Sequence, residues 1–132
     1  MEPRYILDTN TVIYFCNGSL PERAKDFLKI EVDKGIYISV ISEIETLGYH
    51  LSTEYESMIN EDFINGSIII ELTRDVVERT IEIRKIRKIK LPDAIIAATA
   101  LAYDMTLISR NDDDFKRITH LKYLNPFTDL SS

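Results

Sequence analysis

Short apolar runs alternate with longer amphipathic ones along this chain. Tyr5-Ile6-Leu7 is a β-prone run that stops at Asp8. Thr9 and Asn10 are residue types that cap helices, and Thr11 to Phe15 can follow as a helix until Asn17-Gly18-Ser19 ends it. Pro21 suits a helix start. From Glu22 to Val32, charges alternate with Ala24, Phe27, Leu28 and Ile30 at helical spacing, and Gly35 closes that helix. Ile36 to Ile41 is a second β-prone run, after which Ser42 is placed to cap a helix beginning at Glu43. Thr53 to Ile64 reads as a further helix, stopped by Asn65-Gly66. Ser67 to Leu72 reads as a third strand. Thr73 caps a long helix that runs to about Ile89, and Pro92 opens another that reaches Tyr103. Met105 to Ser109 is a fourth strand and Leu121 to Leu124 a short fifth.

Strands separated by helices imply an α/β fold, with a central, mostly parallel sheet of four to five strands covered on both faces. No repeat, low-complexity tract or linker interrupts the pattern, so residues 1–132 read as one domain. In open sheets of this kind, ligands bind beyond the carboxyl ends of the strands. Acids fall at four such places. Asp8 follows the first strand, Glu43 and Glu45 follow the second, Asp112, Asp113 and Asp114 follow the fourth, and Asp93 opens the helix after Pro92.

Composition narrows the chemistry. Hydrophobic residues make up 45% of the chain, enough for a core and too many for a disordered segment. No apolar run reaches the roughly 18 residues that a membrane span needs, and Met1-Glu2-Pro3-Arg4 leads into a strand without the features of a signal peptide. A cytoplasmic location and no membrane partner are the expectation. The one cysteine, Cys16, follows Ile13-Tyr14-Phe15 and reads as a core residue. With His50 and His120 the only imidazoles, a Cys/His zinc site lacks ligands and a His-dependent triad lacks support. Net charge is −6, which argues against a nucleic-acid partner until the charges are read locally.

Each acid alone has a plain reading as a cap, a solvated side chain or a loop residue. Together they do not. Ala94 to Ala102 is apolar nearly all round and marks a buried helix, so the carboxylate of Asp93 at its mouth needs compensation. Asp8 ends an apolar strand near the middle of the fold. Three or four carboxylates gathered there call for a cation, and oxygen ligands suit Mg²⁺. Such an ion at a phosphodiester removes the need for a histidine base.

These residues resemble a known family. Leu7-Asp8-Thr9-Asn10 looks like the opening motif of PIN-domain proteins. Ser39-Val40-Ile41-Ser42-Glu43-Ile44-Glu45 is similar to their second-strand motif, Leu91-Pro92-Asp93-Ala94-Ile95-Ile96-Ala97-Ala98-Thr99-Ala100 to the third, and Leu107-Ile108-Ser109-Arg110-Asn111-Asp112-Asp113-Asp114-Phe115 to the fourth. The ordered set spans nearly the whole chain. The resemblance implies a three-layer α/β/α sandwich and RNA cleavage dependent on Mg²⁺ or Mn²⁺. The length looks most like the VapC-type toxins of toxin–antitoxin pairs, which implies a homodimer held inactive by a small antitoxin. It implies Asp8, Glu45, Asp93 and an acid of the fourth motif as catalytic metal ligands. Gly48 lies three residues beyond Glu45 where many relatives have a glycine four beyond their acid, which leaves Glu43 as a rival. Two residues apart on a helix point to different sides, so one of them faces the ion, and Glu45 is favoured. Asp114 and Asp112 match two forms of the fourth motif almost equally, with Asn111 behind them. Thr9 and Asn10 are supporting residues that would orient Asp8 or a metal-bound water, unless they are caps alone.

Arg84, Lys85, Arg87, Lys88 and Lys90 put five cations into the seven residues before Leu91. They are either a solvated helix face or a means of holding RNA phosphates beside the ion. Tyr49, Tyr55 and Met58 are candidates for a dimer or antitoxin groove. The competing functions are a PIN nuclease that processes or degrades RNA without an antitoxin, and a silent PIN-like binding module. A phosphoacceptor domain would need an acidic pair before its aspartate and a later lysine, and neither pattern is evident.

Overall fold

A computed structural model describes residues 2–50 and 52–130. Five strands form one sheet in the order β3-β2-β1-β4-β5, and every neighbouring pair is parallel. The strands are β1 (Tyr5–Leu7), β2 (Tyr37–Ser39), β3 (Ile68–Ile70), β4 (Thr106–Ile108) and β5 (Lys122–Leu124). The helices are α1 (Thr9–Asn17), α2 (Glu22–Lys34), α3 (Val40–Leu47), α4 (Glu54–Asn65), α5 (Arg74–Ile86), α6 (Leu91–Ala102) and α7 (Asp112–Phe115).

Successive side chains on a strand face opposite ways, so each short strand feeds both layers. On one face Ile6 and Leu107 pack with Val76 and Ile83 of α5, Ala94 to Ala98 of α6, and Phe115 of α7. On the other, Leu7, Ile38 and Ile108 pack with Val12 of α1, Ala24 and Leu28 of α2, and Ile64 of α4. The result is the three-layer α/β/α sandwich that the sequence implies, with an all-parallel sheet. Residues 94–100 of α6 are buried throughout. Their alanines let this helix sit close to the sheet, as the apolar run predicts.

Several boundaries differ from the sequence reading, each because a local bond wins over propensity. The second strand stops at Ser39 rather than running to Ile41. The Ser39 hydroxyl accepts from the Ile41 amide at 3.1 Å and caps α3, so Ser39, not Ser42, starts this helix. The long helix expected to reach Ile89 ends at Ile86, where Arg87 turns extended (φ −142°, ψ 154°). Arg84 Nε donates to the Ile89 carbonyl at 3.3 Å, and Ile89 itself is buried in the α5–α6 core. Burial of Ile89 draws the chain out of the helix four residues before α6 begins. The fourth motif, read as a loop, contains the one-turn helix α7, capped by Asn111.

The start of α1 also differs. Asp8, rather than Thr9 or Asn10, is its N-cap, with extended backbone (φ −76°, ψ 169°). At the far end of α2, Gly35 takes φ 109°, a conformation that side chains with a Cβ avoid, and turns the chain directly into β2.

Candidate active site

The site lies at the carboxyl end of β1, the middle strand. Leu7 pairs with Ile108 in register, so the next residues of the two strands, Asp8 and Ser109, stand side by side. Asp8 is 5% exposed. Its Oδ1 accepts from the Thr11 amide at 2.9 Å, which caps α1, and its Oδ2 accepts from the Ser109 hydroxyl at 2.6 Å. Burial nonetheless raises its pKa above the ordinary value, with Glu45 adding to the effect against these hydrogen bonds. A helix cap and a site carboxylate are therefore one group.

Thr9, one residue on, reaches across to α3. Its hydroxyl donates to Glu45 Oε1 at 2.6 Å and lies 3.0 Å from the hydroxyl of buried Ser42, which has its own proton to return. Glu45 faces Asp8 and Asp93 closely enough to raise both pKa values. Glu43, two residues earlier, makes no hydrogen bond to any of these groups among the described residues and is absent from the charges that act on Asp8 and Asp93. The geometry brings Glu45 to the site and leaves Glu43 outside it.

Asp93 stands in the first turn of α6, after Lys90 and Pro92. Its pKa is raised to about 6, burial being the largest cause. Asp114, then Asp8, then Glu45 push it in the same direction, and Lys90 pulls it back. Four carboxylates from α1's cap, α3, α6 and α7 thus share one field. A hollow of about 170 Å³ opens among three of them, lined by Asp8, Thr9, Asn10, Glu45, Lys90, Pro92 and Asp93.

The fourth motif divides between two jobs. Asn111 donates from Nδ2 to Asp114 Oδ2 at 2.7 Å, and its own amide donates to Ser109 Oγ at 3.0 Å. Asp8, Ser109, Asn111 and Asp114 thereby form one hydrogen-bonded line. Asp112 instead accepts from the Tyr123 hydroxyl at 2.6 Å and from Asn125 Nδ2 at 3.1 Å, which hold its carboxyl below the usual range. It ties the β4–α7 turn to the end of β5 and is absent from the charges that act on Asp93. Asp114 joins the acid cluster, and Asp112 is spent on the scaffold.

Ser109, Tyr123 and Asn125 join the candidates that the sequence offers, and Ser42, expected as a helix cap, instead meets Thr9. Ser109 had a usable signal, since it follows β4 just as Asp8 follows β1. Tyr123 and Asn125 had none, because only the sheet order brings β5 beside the fourth motif. Neither histidine lines the acidic hollow. Cys16 lies between α1 and α4, and burial raises its thiol to about 11.

Every donor in the cluster is an oxygen, which is the ligand chemistry of Mg²⁺ or Mn²⁺. As the side chains stand, no three of His, Cys, Asp or Glu among the described residues are close enough to ligate one ion directly. Mg²⁺ keeps several waters and takes only one or two carboxylates, so an open, mutually repelling oxygen set fits it better than a closed cage.

Comparison with known proteins adds an independent line. A family model described as the PIN domain matches residues 5–121. No curated protein sequence matches the chain significantly. Among solved structures, the chain resembles one from VapBC2 of Rickettsia felis bound to a DNA fragment from its promoter, at 27% identity and TM-score 0.78, covering 92% of this chain and 97% of that one. It resembles one from a toxin–antitoxin complex of Klebsiella pneumoniae at 29% identity and TM-score 0.74, covering 93% and 98%. A DNA-bound VapBC structure from Salmonella typhimurium shares the fold at 22% identity and TM-score 0.81, covering 95% and 99%. With a family match over almost the whole sheet and all four acidic positions, this chain belongs to the PIN domain family.

Proposed function

We propose that this protein is a Mg²⁺- or Mn²⁺-dependent endoribonuclease and the toxin of a toxin–antitoxin pair. The observation that carries the reading is that Asp8, Glu45 and Asp114 all act on Asp93 at the end of the middle strand, adding to the burial that with them raises its pKa to about 6. That arrangement costs stability unless something positive occupies it, and an oxygen-only set selects a hard dication. When bound, the ion polarises a phosphoryl oxygen and lowers the pKa of water.

The protein's own residues do the positioning. Asp8, fixed through both oxygens by Thr11 and Ser109, keeps its outward lone pairs aimed at the hollow. Thr9 fixes the rotamer of Glu45, and Asn111 fixes that of Asp114. Asn10 is at the mouth, where its amide can meet a phosphate oxygen. Lys90 supplies the nearest positive charge to Asp93. Arg84, Lys85, Arg87 and Lys88 line the neighbouring hollow.

The toxin assignment is supported by the resemblance to chains from toxin–antitoxin complexes of Rickettsia felis and Klebsiella pneumoniae. A second copy of the chain and a small antitoxin are the partners it implies. Ile44 and Leu47 of α3, Tyr49 beyond it, and Tyr55 and Met58 of α4 are all exposed and apolar, which favours a surface made to be covered. Sedimentation equilibrium tests the dimer, and a monomer at all concentrations would remove it.

RNA cleavage tests the reaction. The wild type is expected to cut RNA with Mg²⁺ or Mn²⁺ and to stop in EDTA. Asp8→Asn, Asp93→Asn and Glu45→Gln are expected to lose at least about 10²-fold in rate, the loss typical of removing one transition-state contact. Glu43→Gln is expected to stay within a few-fold of wild type. Cleavage that survives EDTA, or in Asp8→Asn, would sink the mechanism.

A further inference from the structure

A second hollow lies beside the acidic one. It measures about 750 Å³ and is lined by Thr80 and Ile81 of α5, by Arg84 to Ile89, and by Leu91. It adjoins the acidic hollow, because the extended segment after α5 forms the ridge between them. Lys88, Ile89 and Leu91 line the basic side, while Lys90 and Pro92 line the acidic side.

Two of its cations are built into the walls. Arg84 Nε donates to the Ile89 carbonyl at 3.3 Å, and Arg87 donates to the Arg117 carbonyl at 2.9 Å. These bonds hold the ridge in its extended form. Lys85, Lys88 and Lys90 are exposed, and none makes a salt bridge or hydrogen bond among the described residues. Lys90 acts on Asp93, but Lys85 and Lys88 have no carboxylate at ion-pair distance among the described residues, so charge pairing along the helix does not explain them. The floor between them is apolar, with Ile81 at 49%, Ile86 at 82% and Leu91 at 49% exposure.

A row of lysines over exposed aliphatic side chains is amphipathic in the way a single nucleic-acid strand is. The lysines meet the backbone phosphates, and the aliphatic floor meets base faces that a duplex would keep stacked inside. We propose that this groove binds single-stranded RNA on one side of the scissile phosphate, with Lys85 and Lys88 on the backbone inside the groove, Lys90 where the strand passes to the acidic hollow, and Arg84 and Arg87 setting the groove's shape. The inference rests on the nuclease reading for the identity of the strand and extends it to the path the strand takes. An acidic protein segment is the rival occupant. It has the charge but not the flat apolar faces.

Binding is measured in EDTA, where no cleavage is expected, by anisotropy of a short labelled single-stranded RNA across a salt series. Lys85→Ala/Lys88→Ala changes two exposed side chains and is expected to weaken binding by about tenfold or more at roughly 0.1 M salt. It should also flatten the slope of log affinity against log salt by about 1.4, two single-strand phosphates at ~0.7 each. Lys29→Ala, the same change on exposed α2, should alter neither. Duplex RNA of the same sequence and polyglutamate should bind more weakly than the single strand.

Unchanged affinity and slope in the double variant would overturn the proposal. So would an equal loss in Lys29→Ala, or tighter binding of polyglutamate or duplex. A wild type that cleaves RNA with Mg²⁺ while the double variant binds normally removes the groove and keeps the nuclease. A wild type that binds through the two lysines but never cleaves keeps the groove and removes the nuclease.

Discussion

Asp93 carries the electrostatic strain of the site in a measurable form. Its pKa is raised to about 6 from an ordinary 3.8, so the folded state holds a proton that the unfolded state releases near pH 4. Without metal, stability is therefore highest below pH 4 as far as this group is concerned, and it falls as pH rises through 6. A shift of about two units corresponds to roughly 3 kcal/mol. With half of the group facing solvent, about 1 kcal/mol is the expected size. Urea unfolding in EDTA between pH 4 and 7 checks this, and Asp93→Asn should flatten the profile. A stability that rises over the same interval in wild type but not in the variant would show that Asp93 gains, rather than loses, by ionising. The acids themselves were legible in the sequence, because a carboxylate after an apolar strand or before an apolar helix is out of place. The choice between Glu45 and Glu43, or Asp114 and Asp112, was not. It depends on which way Thr9 and Tyr123 reach, and those residues are far from their partners along the chain.

At the level of elements, α6 governs how close the acids come to one another. It brings Asp93 to the sheet only because Ala94, Ala97, Ala98 and Ala100 leave no more than 1% of their surface exposed. Ala97→Leu inserts a larger side chain into this contact and is expected to cost about 1–3 kcal/mol, seen as a lower denaturation midpoint. It should also reduce cleavage by moving Asp93, although the residue touches no substrate. An unaltered midpoint would mean that α6 has room to spare. The order and type of the strands and main helices could be read from periodicity, since each buries a regular face. Their ends could not. The Val40-Ile41 pair favours a strand, yet Ser39 captures the Ile41 amide and makes it helical. The run from Arg84 to Lys90 has the composition of a helix, yet burial of Ile89 outweighs the continued hydrogen-bond ladder. A local cap in the first case, and burial in the core in the second, selected a conformation that intrinsic propensity opposes.

For the whole molecule, a bound dication should act as a stabiliser as well as a reagent. A ligand at 100 times its dissociation constant adds about 2.7 kcal/mol to a native state that alone binds it. In a chain of this length that is a rise of about 10 °C in melting temperature. Calorimetry with Mg²⁺ against EDTA checks it, and Asp8→Asn should lose most of the rise. A melting temperature indifferent to Mg²⁺ would remove the ion from the site. The sheet order has one more consequence, in the timing of synthesis. Asp8 meets Ser109 across 101 residues, because the middle strand is made first and its partner β4 near the end. A nascent chain that has emerged only as far as α6 has β1 exposed along one edge, and it lacks both the residue that orients Asp8 and the turn that carries Asp114. At about 5–20 residues per second, that edge waits several seconds for its neighbour. In a chain arranged in this way the acid cluster stays incomplete until the segment that carries Ser109 and Asp114 has emerged.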